Sequence, residues 1–269
     1  MRRLNEIREA VREKRPLIHC ITNPISINQC ANAILAAGAR PIMAEHPGEV
    51  QEITETADAL MLNLGNITDA RMQAMEISLR TAAGKGIPVV IDAVGVACSR
   101  LRRDFLSRLL ESACPAVLKG NYSEIYALSR ENYRSSGVDA DTALREETVR
   151  EAAAELARKY QTTVLASGKA DIVTDGTKTV IVRNGTPQLS VVTGTGCMLG
   201  ALCGVYLTAC PGTDAAAAAC AVLGVCGQLA ETAKGSGTFM AGLLDALSTV
   251  TDEQMENRMD LEETAHEAI

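Results

Sequence analysis

The chain has 269 residues, 47% of them hydrophobic and 22% charged, which excludes a fibre or a disordered tail and suits one continuous α/β core over residues 1–269. A net charge of -7, with no Lys/Arg stripe interleaved with aromatics, argues against a nucleic-acid partner. Only 3% of the residues are aromatic and none is Trp, so the core must be built from Ala, Leu, Ile, Val and Met, and chemistry falls to polar loops.

The N-terminal stretch MRRLNEIREAVREKRP is basic but broken by Glu and lacks an apolar h-region. No later stretch reads as ~18 apolar residues free of polar breaks, so no membrane partner and a cytoplasmic location are expected. The nine cysteines lie in apolar or small-residue sequence without a C-x-x-C; most read as buried thiols of a reducing compartment, neither disulfides nor zinc ligands.

From Pro16 the sequence alternates short β-rich apolar runs with segments of helical period. The first run, Pro16-Leu17-Ile18-His19-Cys20-Ile21-Thr22, leads into an Asn/Ala-rich helical stretch. Strands follow at 40–43, 59–62, 88–92 and 116–118, with helices at 69–84 and 99–111. This alternation predicts a mostly parallel central sheet flanked on both faces by helices. After a helix at 142–160 the beat changes: 162–166, 171–174 and 179–183 are strands separated only by Gly-containing turns, which predicts antiparallel edge strands. From Gly196 the chain reads as small-residue helix, broken at Gly212-Thr213-Asp214 and at Lys234-Gly235-Ser236-Gly237-Thr238, and the acidic tail after Thr251 reads as frayed.

In such a sheet, ligands bind where the loops leave the C-terminal strand ends. Asn63, Asp92, Lys119-Gly120-Asn121 and Ser167-Gly168 occupy those positions. The sharpest segment is Val192-Thr193-Gly194-Thr195-Gly196-Cys197, a glycine-rich turn opening an apolar helix. Its amides and the helix N-terminus form an anion hole for a phosphoryl group at Gly194, Thr195, Gly196 and Cys197. Cys197, at the first turn, is placed to orient an alcohol or take its proton. A glycine-rich turn also serves plain packing, a cysteine there is commonly a small hydrophobe, and Asp92 alone reads equally as a turn former; their joint occurrence points to a site. His19 lies within a strand and reads as a hydrogen-bonded core residue, while Gly84-Lys85-Gly86 lacks the rest of a Walker A loop and reads as a helix C-cap.

The set Ile21-Thr22-Asn23-Pro24, Asn28, Ala31-Asn32, Ala39-Arg40-Pro41-Ile42-Met43-Ala44, Val90-Ile91-Asp92-Ala93-Val94-Gly95, Lys119-Gly120-Asn121, Glu124-Ile125 and the Gly-Thr-Gly-Cys segment resembles, in order over about 15–250, the hydroxyethylthiazole kinase family. The resemblance implies a ribokinase-like fold and a homotrimer with sites at subunit boundaries. It implies transfer of the ATP γ-phosphoryl group to the alcohol of hydroxyethylthiazole, for thiamine biosynthesis or salvage. Carried residue by residue, Met43, Gly194 and Asn23 line the substrate site, Lys119 and Ser167 contact ATP, Asp92 and Glu124 hold Mg²⁺ partly through water, and Cys197 takes the place where related kinases carry an Asp base. The sequence departs from the family pattern at Lys119, commonly Arg; at Ser167, usually Thr; and in Met43-Ala44-Glu45-His46-Pro47, where Met-Ala-His is usual. The alternatives are a hydroxymethylpyrimidine-type alcohol kinase, an ATP-dependent dehydratase of hydrated nicotinamide nucleotides and a nucleotide sensor; the first two usually carry Asp where Cys197 stands.

Overall fold

The protein is described from a computed structural model covering residues 4–130 and 144–265. The sheet strands are Leu17–Ile21 (β1), Arg40–Ile42 (β2), Ala59–Asn63 (β3), Val89–Asp92 (β4), Val117–Asn121 (β5), Thr163–Ser167 (β6), Asp171–Thr174 (β7), Lys178–Val182 (β8) and Leu261–Ala265 (β9). Their order is β2-β1-β3-β4-β5-β6-β7-β8-β9. Pairings from β2 through β6 are parallel, and the β6–β7, β7–β8 and β8–β9 pairings are antiparallel. The expected parallel sheet with antiparallel edge strands is therefore present.

Side-chain alternation divides the core in two. Ile18, Cys20, Met61, Val90, Val117 and Leu165 pack on one face with helices Leu4–Lys14 (α1), Ile27–Ala36 (α2), Gln188–Val191 (α8), Thr195–Leu207 (α9), Gly212–Ala230 (α10) and Ser236–Thr249 (α11). Leu60, Leu62, Ile91, Leu118 and Val164 pack on the other with Val50–Thr56 (α3), Asp69–Lys85 (α4), Arg100–Ser112 (α5), Tyr122–Ser129 (α6) and Glu146–Tyr160 (α7). Every residue of β3 is buried, as a parallel strand covered on both faces requires. Local signals set the helix ends: Thr68 accepts from the Arg71 amide at 3.3 Å to open α4, and Gly86 closes it in the left-handed conformation at φ +66°, as the C-cap reading expects.

Several expectations need correction. The 116–118 strand runs on to Asn121, so Lys119 and Gly120 lie within β5. The expected helix start at 142–143 falls outside the described residues; α7 begins at Glu146. Gly212-Thr213-Asp214 is the first turn of α10 and not a break, and Ser236 already opens α11. By length and composition α10 could cross a membrane, contrary to the sequence reading, but 78% of its apolar window is buried inside the fold. The tail does not fray over its described part: it forms Asp252–Arg258 (α12) and β9. Long-range partners hold it. Buried Arg8 reaches Asp252 and the Val250 carbonyl, Met255 is buried, and Lys178 pairs with Glu263 at 2.9 Å.

Candidate active site

Strand register assembles the site. Asn63 stands beside Asp92, and Asp92 beside Lys119. In-register neighbours share a face, so the three side chains form a row toward α9. Lys119 Nζ donates to both oxygens of Asp92 at 2.9 Å, and Asn63 Nδ2 donates to Asp92 Oδ2 at 2.9 Å. Both charged groups are buried. Burial raises the Asp92 pKa, while Lys119 and Asn63 oppose the rise. Burial works against the Lys119 charge most strongly, but Asp92, Cys197 and Glu124 together outweigh it and hold the ammonium above its ordinary range. The row is thus an ion pair with the proton on Lys119.

Asn121 and Glu124 form a capping box at the start of α6. Glu124 Oε2 accepts from the Asn121 amide at 2.7 Å and Oε1 from the Gly95 amide at 2.6 Å. Burial first, then the charge of Asp92, pushes its pKa up to about 7, against the two amide bonds. Among the described residues no Lys or Arg bonds directly to this carboxylate. The chemistry of the pair fits a divalent cation, because Mg²⁺ binds through one or two carboxylates with water and phosphate oxygens completing its octahedron. Glu124 has lone pairs beyond the two amides, whereas Asp92 is engaged by Lys119.

The glycine-rich turn meets this row. Gly194, the N-cap of α9, has φ +99°, a conformation costly for other residues, and its carbonyl accepts the first helical bond from Met198 at 2.9 Å. The amides of Thr195, Gly196 and Cys197 therefore lie in the turn whose donors have no partner within the helix. A Cβ on Gly196 would lie 3.8 Å from Lys119 Nζ, which puts the ammonium under the helix N-terminus. The Thr195 hydroxyl turns away, donating to the Leu189 carbonyl at 2.6 Å, so only its backbone can serve an anion. Close approach of α9 to the sheet depends on Gly200: a Cβ there would come within 2.7 Å of Met61 Cε and 3.4 Å of Asp92 Oδ2.

Cys197 Sγ accepts from Asn23 Nδ2 at 3.2 Å and from Asn63 Nδ2 at 3.4 Å. Asn23 Oδ1 in turn accepts from the amides of Ile25 and Ser26, which fixes the carboxamide. Asn23, Asn63, Asp92, Lys119, Gly196 and Cys197 thus form one connected group. Ser167 sits farther along the edge, opposite Asn121 in register, and donates to the Gly120 carbonyl at 3.4 Å. Met43 follows β2 and packs half-buried on the α9 side of the sheet. Sequence reasoning noted Asn63 only as a polar strand end; its link to both Asp92 and Cys197 needed the register. It missed Gln29, which touches the Cβ position of Gly194 at 3.6 Å and has a buried Oε1 without a partner among the described residues.

A profile described as the hydroxyethylthiazole kinase family matches residues 8–253. A Clostridium botulinum protein named hydroxyethylthiazole kinase 2 is 45% identical over 253 residues, 92% of this chain and 96% of that one. A solved structure of a hydroxyethylthiazole kinase protein from Pyrococcus horikoshii OT3 superposes with a TM-score of 0.90 at 34% identity, covering 98% of this chain and 100% of that one. A ribokinase-like superfamily protein from Enterococcus faecalis V583 matches with a TM-score of 0.62 at 14% identity, over 95% of this chain and 94% of that one, a likeness of fold alone.

Proposed function

The chain belongs to the hydroxyethylthiazole kinase family, and from that premise we propose that it transfers the γ-phosphoryl group of ATP to the hydroxyl of 4-methyl-5-(2-hydroxyethyl)thiazole. The observation that carries this reading is the meeting of the α9 N-terminus with the buried Asn63–Asp92–Lys119 row, where an anion and an alcohol can be held side by side. Phosphoryl transfer leaves charge on the three equatorial oxygens, and catalysis is largely positioning plus electrostatic stabilisation. Lys119 and the amides of the 194–197 turn supply positive potential there. Cys197, held by Asn23 and Asn63, orients the alcohol toward the phosphorus. In a loose transition state the alcohol proton leaves late, so orientation matters more than base strength.

Met43, Gly194 and Asn23 line the alcohol side in this reading, and Ser167 with Lys119 lines the ATP side. Mg²⁺ would be held by Glu124 and, through water, by Asp92; when bound it neutralises charge on the β- and γ-phosphate oxygens. The assembly is read as a homotrimer with sites at subunit boundaries. Support comes from Ile25 and Val191, 62% and 74% exposed, which lie within three residues of Asn23 and Gly194 in the sequence. The nine free cysteines suit a cytoplasmic enzyme.

The test is phosphorus NMR of a reaction containing ATP, Mg²⁺ and the thiazole alcohol. A new phosphomonoester resonance growing in step with ADP is the expected result; ADP without that ester would refute the acceptor.

A further inference from the structure

Two sets of side chains outside the phosphoryl-transfer row grip the 43–45 segment. This segment follows the three-residue edge strand β2 and has no regular secondary structure. From β1, fully buried His19 places Nε2 2.9 Å from the Ala44 carbonyl and Nδ1 2.9 Å from Thr54 Oγ1 in α3. A carbonyl only accepts, so Nε2 carries a proton. Thr54 Oγ1, which donates to the Val50 carbonyl at 2.7 Å, lies against Nδ1, and burial lowers the His19 pKa. Thr54 thereby holds the ring in the orientation that meets Ala44.

From α4, Arg71 takes Glu45 in a fork: Nε donates to Oε2 at 2.7 Å and Nη2 to Oε1 at 3.2 Å, while Nη1 donates to the Asn66 carbonyl at 2.9 Å. Arg71 is buried, and Glu45 keeps 43% of its side chain exposed. Glu45 lies in one of the three places where the sequence departs from the resembled family pattern. Its carboxylate is engaged by Arg71 beside the chain and supplies no free acid to the alcohol site.

We propose that His19 and the Glu45–Arg71 pair are positioning residues for the alcohol substrate, clamping the backbone on either side of the Ala44–Glu45 peptide so that Met43 meets the ring in one orientation. The inference rests on the reading of Met43 as a substrate contact. A methionine side chain is flexible, so selectivity from it requires a fixed backbone. Binding then avoids the cost of ordering the segment.

The test is steady-state kinetics of the full chain with ATP and the thiazole alcohol varied separately, for wild type, Met43→Ala, His19→Gln, Glu45→Gln, Arg71→Met and the Glu45→Gln/Arg71→Met double variant. Loss of one directed bond predicts a rise in KM for the alcohol of about tenfold, with kcat and KM for ATP held within about twofold. The double variant should be no worse than the poorer single one, since both break one bridge. Glu45→Gln, half-exposed, keeps the test open if His19→Gln fails to fold. An unchanged alcohol KM in Glu45→Gln and Arg71→Met beside a raised one in Met43→Ala overturns the clamp alone. An unchanged KM in Met43→Ala overturns both the clamp and the substrate reading. A parallel change in kcat and both KM values means general loss of structure and also overturns the clamp.

Discussion

Asp92 and Lys119 neutralise each other while buried, so neither can be changed alone without leaving a bare buried charge. Asp92→Asn should cost about 3–5 kcal/mol of stability, read from the denaturant midpoint; a change below 1 kcal/mol would mean the pair is solvated. Cys197 should behave differently. Its sulfur is an acceptor for two carboxamides, and its proposed role is orientation, so Cys197→Ser should retain most activity and Cys197→Ala should lose about tenfold in kcat, less than the 10²–10⁴ of an obligatory base. Glu124 gives a pH signature. Its folded pKa of about 7 lies above the ordinary 4.5, so between those values the folded state binds more proton than the unfolded one, and its contribution to stability falls as pH rises through that window. In metal-free protein, lowering pH from 7 to 5 should therefore favour wild type over Glu124→Gln by up to about 3 kcal/mol, measured by paired thermal melts. A constant difference across the range would remove the cause assigned to the shift.

At the scale of elements, the N-terminus of α9 is aimed by glycines at both ends of its contact with the sheet. Gly194→Ala forces a side chain into φ +99° and should cost about 1–2 kcal/mol, with KM for ATP raised because the turn's amides shift; melts and ATP titration check it. Much of this element was legible. The Gly-Thr-Gly-Cys turn before an apolar run reads alone as an anion hole or as plain packing, and only its company with Asp92 and Lys119 points to a site; the apolar runs ending at Asn63 and Asp92 mark parallel strands. Lys119 was placed beyond its strand because Lys-Gly-Asn reads as loop, yet pairing with β6 carries β5 through Asn121. The tail was misread because its partners, Arg8 and β8, are far away in sequence. The same holds for His19: its strand position was readable, but Thr54 and Ala44, 35 and 25 residues away, were not. Asn63 gained its role only from register, since a polar strand end does not announce which neighbour it meets.

At the scale of the molecule, the sheet divides the labour between its faces. The α9 side holds the Asn63–Asp92–Lys119 row of the proposed site, while Thr54, Arg71 and the Glu124 box come from α3, α4 and α6 on the other side. Ile25 and Val191 are exposed apolar residues close in sequence to Asn23 and Gly194, and a second copy is the proposed cover. An Ile25→Asp/Val191→Asp variant should sediment as monomer where wild type sediments as trimer; a monomeric wild type would remove the boundary-site reading. The central claim is the acceptor, and one measurement bears on it most directly: kcat/KM by coupled ADP release for the thiazole alcohol against hydroxymethylpyrimidine, with product masses determined. Thiazole phosphate is the expected product, with a preference of at least about tenfold; both alcohols carry a hydroxyl, so the discrimination falls on the ring contacts around Met43. Equal use of the two alcohols, or phosphorylation of the pyrimidine alone, would contradict it.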